Sequence, residues 1–204
     1  MQELPLRHNL DVMHVKKNVC ESLLDTMLHD NKSKDGINSR KDLEERGIRH
    51  SHYAQPQRIK TYLPPALYTL SSSEKKIFCK RLFDFKGPDG YCSNFKRFVS
   101  LEDCKINGLK SHDYHVIMQQ LLSVAVRGLL PKKPRKTIIR LCSFFNKICQ
   151  RVLDIEKLEQ LEKDIIEILC DLERYFPPSF FDIMIHLTVH LRREARLCGS
   201  VYFR

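Results

Sequence analysis

Tryptophan is absent, glycine (7) and proline (9) are sparse, and no stretch approaches the roughly 18 consecutive apolar residues that a membrane span requires. Those shortages exclude collagen-like, disordered and membrane-spanning classes. The eight cysteines, at 20, 79, 92, 104, 142, 149, 170 and 198, never form a C-x-x-C pair, and several sit in apolar runs. They read as buried thiols of a reducing compartment rather than as disulfides or metal ligands. Catalytic signatures are also missing: there is no G-x-x-x-x-G-K-[ST], no G-x-S-x-G, no H-E-x-x-H and no G-x-G-x-x-G. The opening Met1-Gln2-Glu3-Leu4-Pro5 has neither a basic nor an apolar leader segment, so an intracellular protein is expected.

What is present is an ordinary globular composition, 42% hydrophobic and 29% charged over 204 residues. That length allows one domain, or one and a piece of another. Lys and Arg (35) outnumber Asp and Glu (25), giving a net charge of +10. Such a balance favours acidic partners, nucleic acid being the commonest, without bearing on fold.

Helical periodicity dominates. Apolar residues from His8 to Leu28 recur at three and four residue steps. Asn31 to Tyr62 is polar and reads as a solvated connector, with a short helix near Asp42–Gly47, and Thr61–Pro65 must be extended. Ser71–Ser73 cap a helix of about Glu74–Phe85, which Gly87-Pro88-Asp89-Gly90 stops. Ser100–Asp103 resembles the cap of one or two turns finishing at Asn107-Gly108, and Ser111 caps a helix of about His112–Leu130. Pro131 and Pro134 precede a helix of about Arg135–Leu153, and Asp154 is a credible N-cap for Ile155–Phe176. In that last helix Leu158, Leu161, Ile165, Ile168, Leu172 and Tyr175 make a packing seam, for an intramolecular bundle or for a coiled-coil dimer. Ser179–Cys198 reads as one final helix ended by Gly199. No useful period-2 strand pattern appears, so the fold class is mostly α, an irregular multi-helix bundle.

Two groups of residues carry candidate chemistry. His186 and His190 share a helix face with Asp182 and Glu194, and a metal there would need further ligands such as His112 and His115. Leu187 stands where a zinc protease carries its general base, and carboxylate or backbone partners for these histidines are the simpler reading. Lys132, Lys133, Arg135 and Lys136, followed by Arg140, Lys147 and Arg151, form the densest basic stretch, suited to DNA phosphates or to a plain solvated face. No interleaved aromatic platform for single strands accompanies it.

The segment Arg7-His8-Asn9-Leu10-Asp11-Val12-Met13-His14-Val15-Lys16-Lys17-Asn18-Val19-Cys20 resembles a motif near the end of the transposase region of plant CACTA (En/Spm-type) elements. Thr61–Ala66, Gly108–Asp113, His115–Leu122 and Tyr175–Met184 resemble the adjoining domain of unknown function, so the likeness spans nearly the whole chain. The resemblance implies a ribonuclease-H-like core that joins carboxylates and divalent metal for DNA strand transfer. Only its last helix would remain here, detached from the missing core, with Asp11 and His14 as remnants of the site. Lys16 stands where relatives commonly carry Glu. Both ends, including Tyr202-Phe203-Arg204, read as truncations.

The expectation is therefore three parts: a remnant helix (1–30), a polar connector (31–61) and a helical transposase-associated domain (62–204). The expected function is that of a transposon-derived, non-catalytic fragment, nuclear in the resemblance's terms, without a cofactor, a membrane or a small-molecule substrate, and with DNA, a second copy or transposase subunits as partners. A host-adopted interaction module is the alternative, and an active metal-dependent nuclease or transposase the enzyme-class rival.

Overall fold

The computed structural model describes residues 10–30, 32–58, 61–87 and 94–200. Arg7, His8 and Asn9 of the first motif, the Pro88-Asp89-Gly90 stop, Cys92 and Tyr202-Phe203-Arg204 lie outside the described residues. Within them the helices are α1 (Val12–Leu28), α2 (Ile37–Glu45), α3 (Ser72–Phe83), α4 (Ser111–Val116), α5 (Leu122–Ala125), α6 (Lys132–Ile148), α7 (Ile155–Tyr175), α8 (Ile183–Leu187) and α9 (Leu191–Cys198). Strands β1 (Val99–Ser100) and β2 (Lys105–Ile106) pair antiparallel, Val99 opposite Ile106, and form the only sheet among the described residues. The fold is an irregular, mostly helical bundle.

Capping chemistry sets several helix starts, at Ser71 and Asp154 where local sequence placed them and at Asp11 rather than the expected His8. Asp11 Oδ1 accepts the His14 N–H at 3.0 Å and opens α1. Ser71 and Glu74 make a reciprocal capping box on α3, and Asp154 Oδ1 accepts the Glu156 N–H at 3.0 Å to open α7. Pro134 falls in the first turn of α6, where its missing N–H costs nothing.

Helix α1 is not detached. Val15, Val19, Leu23 and Met27 are at most 2% exposed, and α1 packs against α4 and α8 in the core of this same chain. Its apolar stripe has found a partner here, and each such side chain contributes about 2 kcal/mol by leaving water. The seam on α7 is likewise used internally: Leu158, Leu161, Ile165, Ile168 and Leu172 are at most 4% exposed, and α7 packs on α6 and α9. The coiled-coil alternative therefore has no seam left to share.

Within the polar stretch, residues 32–58 are mostly exposed but anchored at a few buried points. Leu43 is fully buried, and Arg40, 1% exposed, is held by Asp35 and by the carbonyls of His52 and Pro64. Arg49 donates to the carbonyls of Glu173 and Phe176 at the end of α7. Polar side chains give this segment its anchors, which is why composition alone made it look like a linker.

Three further expectations change. Ser100 Oγ accepts the Asp103 N–H at 3.3 Å, the bond a helix cap would make, yet here it closes the β1–β2 turn, with Cys104 at a left-handed φ of 52°. The helix expected over His112–Leu130 is interrupted by a π turn at Ile117–Leu121 and ends at Ala125. The helix expected over Ser179–Cys198 is divided: Asp182 caps α8, and the buried Thr188 hydroxyl bonds back to the Ile185 carbonyl at 2.7 Å where α8 gives way to α9.

Candidate functional site

The basic stretch lies at the N-terminus of α6. Pro131 supplies no side-chain cap and the first turn holds no acidic residue. Lys132, Lys133 and Lys136 are exposed. A helix N-terminus already carries a partial positive charge, so placing lysines there works against the helix and favours an anion beside it. The preceding residue, Leu130, has a left-handed φ of 57°, unusual for a bulky side chain. Glu74 of α3 accepts its N–H at 3.1 Å, which ties the first turn of α3 to the residue before Pro131. Glu74 thereby serves as a fastener, and hydrogen bonds from Ser71 and Leu130 hold its carboxyl below the usual range against the opposing effect of burial.

Three members of the predicted basic stretch are engaged elsewhere. Arg140 pairs with Glu167 at 2.7 Å and Asp171 at 3.5 Å on α7, so its charge joins two helices. Arg135 turns back to the carbonyls of Leu129 and Leu130, at 3.3 and 3.5 Å, and steadies the entry to α6. Lys147, further along α6, lies 3.9 Å from Asp164. The cations left facing solvent at this end are Lys132, Lys133 and Lys136. Sequence reading missed the tie from Glu74 to Leu130, which spans 56 positions of chain.

The histidines meet in two pairs and not as a set of four. His186 and His190 are exposed and touch each other, Nε2 to Nε2 at 3.2 Å. Asp182 is committed to capping α8 and to Lys34 at 3.0 Å, and the buried Glu194 accepts the Leu10 N–H at 3.3 Å. On α4, His112 stacks on His115 with centroids 6.2 Å apart. Among the described residues no group of three or more His, Cys, Asp or Glu is arranged to hold a metal. Asp11 and His14 sit at the exposed start of α1, Asp11 as its cap.

Lys16, singled out in the sequence for its charge, occupies a different setting. It is fully buried, and its Nζ lies 3.5 Å from Cys149 Sγ, one residue beyond α6. Burial lowers its pKa, with Cys149 opposing that shift, and burial also raises the Cys149 thiol against the opposing effect of Lys16 and a hydrogen bond from Gln119. His115 is pushed down to about 4, first by burial and then by the neighbouring Lys16 and His112. Its Nδ1 is buried without a hydrogen-bond partner. Lys16, Cys149, Gln119 and His115 thus form a polar inclusion between α1, the end of α6 and the π turn. Chain separation hid it: Lys16 and Cys149 are 133 positions apart.

A family profile described as a domain of unknown function, DUF4218, matches residues 148–204. That stretch runs from the end of α6 through α7, α8 and α9. No curated protein matches, and no solved structure matches.

Proposed function

We propose that the chain is a transposon-derived, non-catalytic helical module whose remaining activity is binding DNA through the N-terminal end of α6. The observation that carries this reading is the exposed trio Lys132, Lys133 and Lys136 around an uncapped helix N-terminus with no acid in its first turn. The net charge of +10, the DUF4218 match and the likeness of several segments to CACTA-element proteins support it. On this reading the module works in the nucleus, contacts phosphates rather than bases, and needs no metal. Phosphate contacts fix position on a duplex without reading its sequence.

The test is fluorescence anisotropy with a labelled duplex across a salt series. Binding should weaken linearly in log–log form, with a slope near −0.9 for each phosphate neutralised. Reversing the three lysines together (Lys132→Glu, Lys133→Glu, Lys136→Glu) should lose the binding at a salt concentration where the parent still binds. Binding that is absent, indifferent to salt or unchanged in the triple variant refutes the reading.

A further inference from the structure

Lysine is almost never fully buried without a carboxylate or a carbonyl to receive its charge. Lys16 is fully buried, and the hydrogen bond its Nζ makes is to the Cys149 sulfur, at 3.5 Å. Cys149, one residue beyond the end of α6, is of intermediate exposure and so is not sealed as Lys16 is. A sealed amine therefore stands behind a thiol that small oxidants can reach. We propose that Lys16 and Cys149 form a reversible oxidative cross-link, an N–S bond made after hydrogen peroxide, or another hydroperoxide, oxidises the Cys149 thiol.

The chemistry balances in two steps. The Cys149 sulfur attacks the peroxide O–O bond and takes one oxygen; the thiol proton leaves with the other oxygen as water, and sulfur is oxidised from thiol to sulfenic acid. The Lys16 amine then attacks that sulfur. The S–O bond breaks, its hydroxyl departs with one amine proton as a second water, and the N–S bond forms. One thiol, one amine and one peroxide thus give one sulfenamide and two waters. A sulfenic acid condenses with whichever nucleophile is beside it, thiol or nitrogen. Beside Cys149 stands nitrogen, and burial, which lowers the pKa of the Lys16 ammonium, eases the loss to solvent of the proton it must shed before it attacks. Two equivalents of an added thiol return the free amine and thiol, yielding one disulfide of the added reagent.

The consequence is a clasp between α1 and the end of α6, closing 133 positions of chain. It constrains the unfolded chain as a disulfide would and should raise the melting temperature of the oxidised protein. The clasp stands independently of DNA binding.

Full-length protein is treated with graded hydrogen peroxide, digested, and mapped by mass spectrometry with and without dithiothreitol. The expected product is a peptide pair joining Lys16 to Cys149, lighter by two hydrogens than its separate parts, and lost on reduction. Lys16→Arg and Cys149→Ser should both lack it, and Lys16→Arg should accumulate dimedone-reactive sulfenic acid at Cys149. Lys16→Met serves the same purpose should the larger arginine prevent folding. The rise in melting temperature on oxidation should vanish in each variant. A disulfide from Cys149 to Cys20 or Cys142, or a Cys149 oxidised while Lys16 stays unlinked, overturns the proposal.

Discussion

Asp35 grips Arg40 at both ends of its carboxylate, Nε to Oδ1 at 2.5 Å and Nη2 to Oδ2 at 2.7 Å, with both side chains at most 2% exposed. Two further guanidinium protons reach the carbonyls of His52 and Pro64, so one buried cation joins α2 to the turn before α3. Removing one partner leaves the other charge stranded out of water, a loss of about 3–5 kcal/mol. Asp35→Asn and Arg40→Met are each expected to lower the unfolding free energy obtained from urea titration by that order. The double variant should cost clearly less than the sum of the two. Simple additivity would mean the pair is not coupled.

His115 sets an acid limb to stability. Its folded pKa of about 4 lies below the ordinary 6.5, so between those values the unfolded chain binds the extra proton. Stability is therefore lost as pH falls from about 6.5 to about 4, and is unaffected by this group above that window. Proton NMR of the imidazole should show a midpoint near 4. In Lys16→Met the midpoint should climb part of the way toward 6.5, since a neighbouring cation is removed while burial stays. A midpoint unmoved by that substitution would mean Lys16 does not act on His115.

Much of the helical scaffold was readable because its signals are local. Ser71, Asp154 and the α7 seam each act within a few residues, and the structure puts helices at those places. The hairpin at residues 99–106 was unreadable, since strands of two residues have no period and Ser100 makes the same bond in a turn as in a cap. The division at Thr188 depends on a side-chain bond that apolar periodicity does not register. Of the candidate site, the lysines before Arg135 were legible as charge, whereas the capture of Arg140 by Glu167 and Asp171 required α7 to be in place. The same holds for Lys16: nothing near it in the chain marks a lysine as interior.

Asp25 acts in the opposite sense to His115. Burial, and next the charge of Glu21, raise its carboxyl to about 6 from the ordinary 3.8. Lys32 relieves this only in part because its ammonium is committed to Glu21 at 2.9 Å. Between those values the folded chain holds the extra proton, so this group adds stability as pH falls from about 6 to about 4 and opposes folding when ionised above it. Asp25→Asn should accordingly raise the melting temperature at pH 7 and have progressively less effect as the pH approaches 4. The two groups also offset each other over the shared range. His115→Phe should unmask a gain in stability on mild acidification, and Asp25→Asn a steeper loss. Melting temperatures measured at half-unit steps from pH 4 to pH 7 decide the matter, and parallel curves for parent and both variants would refute the assignment of either slope.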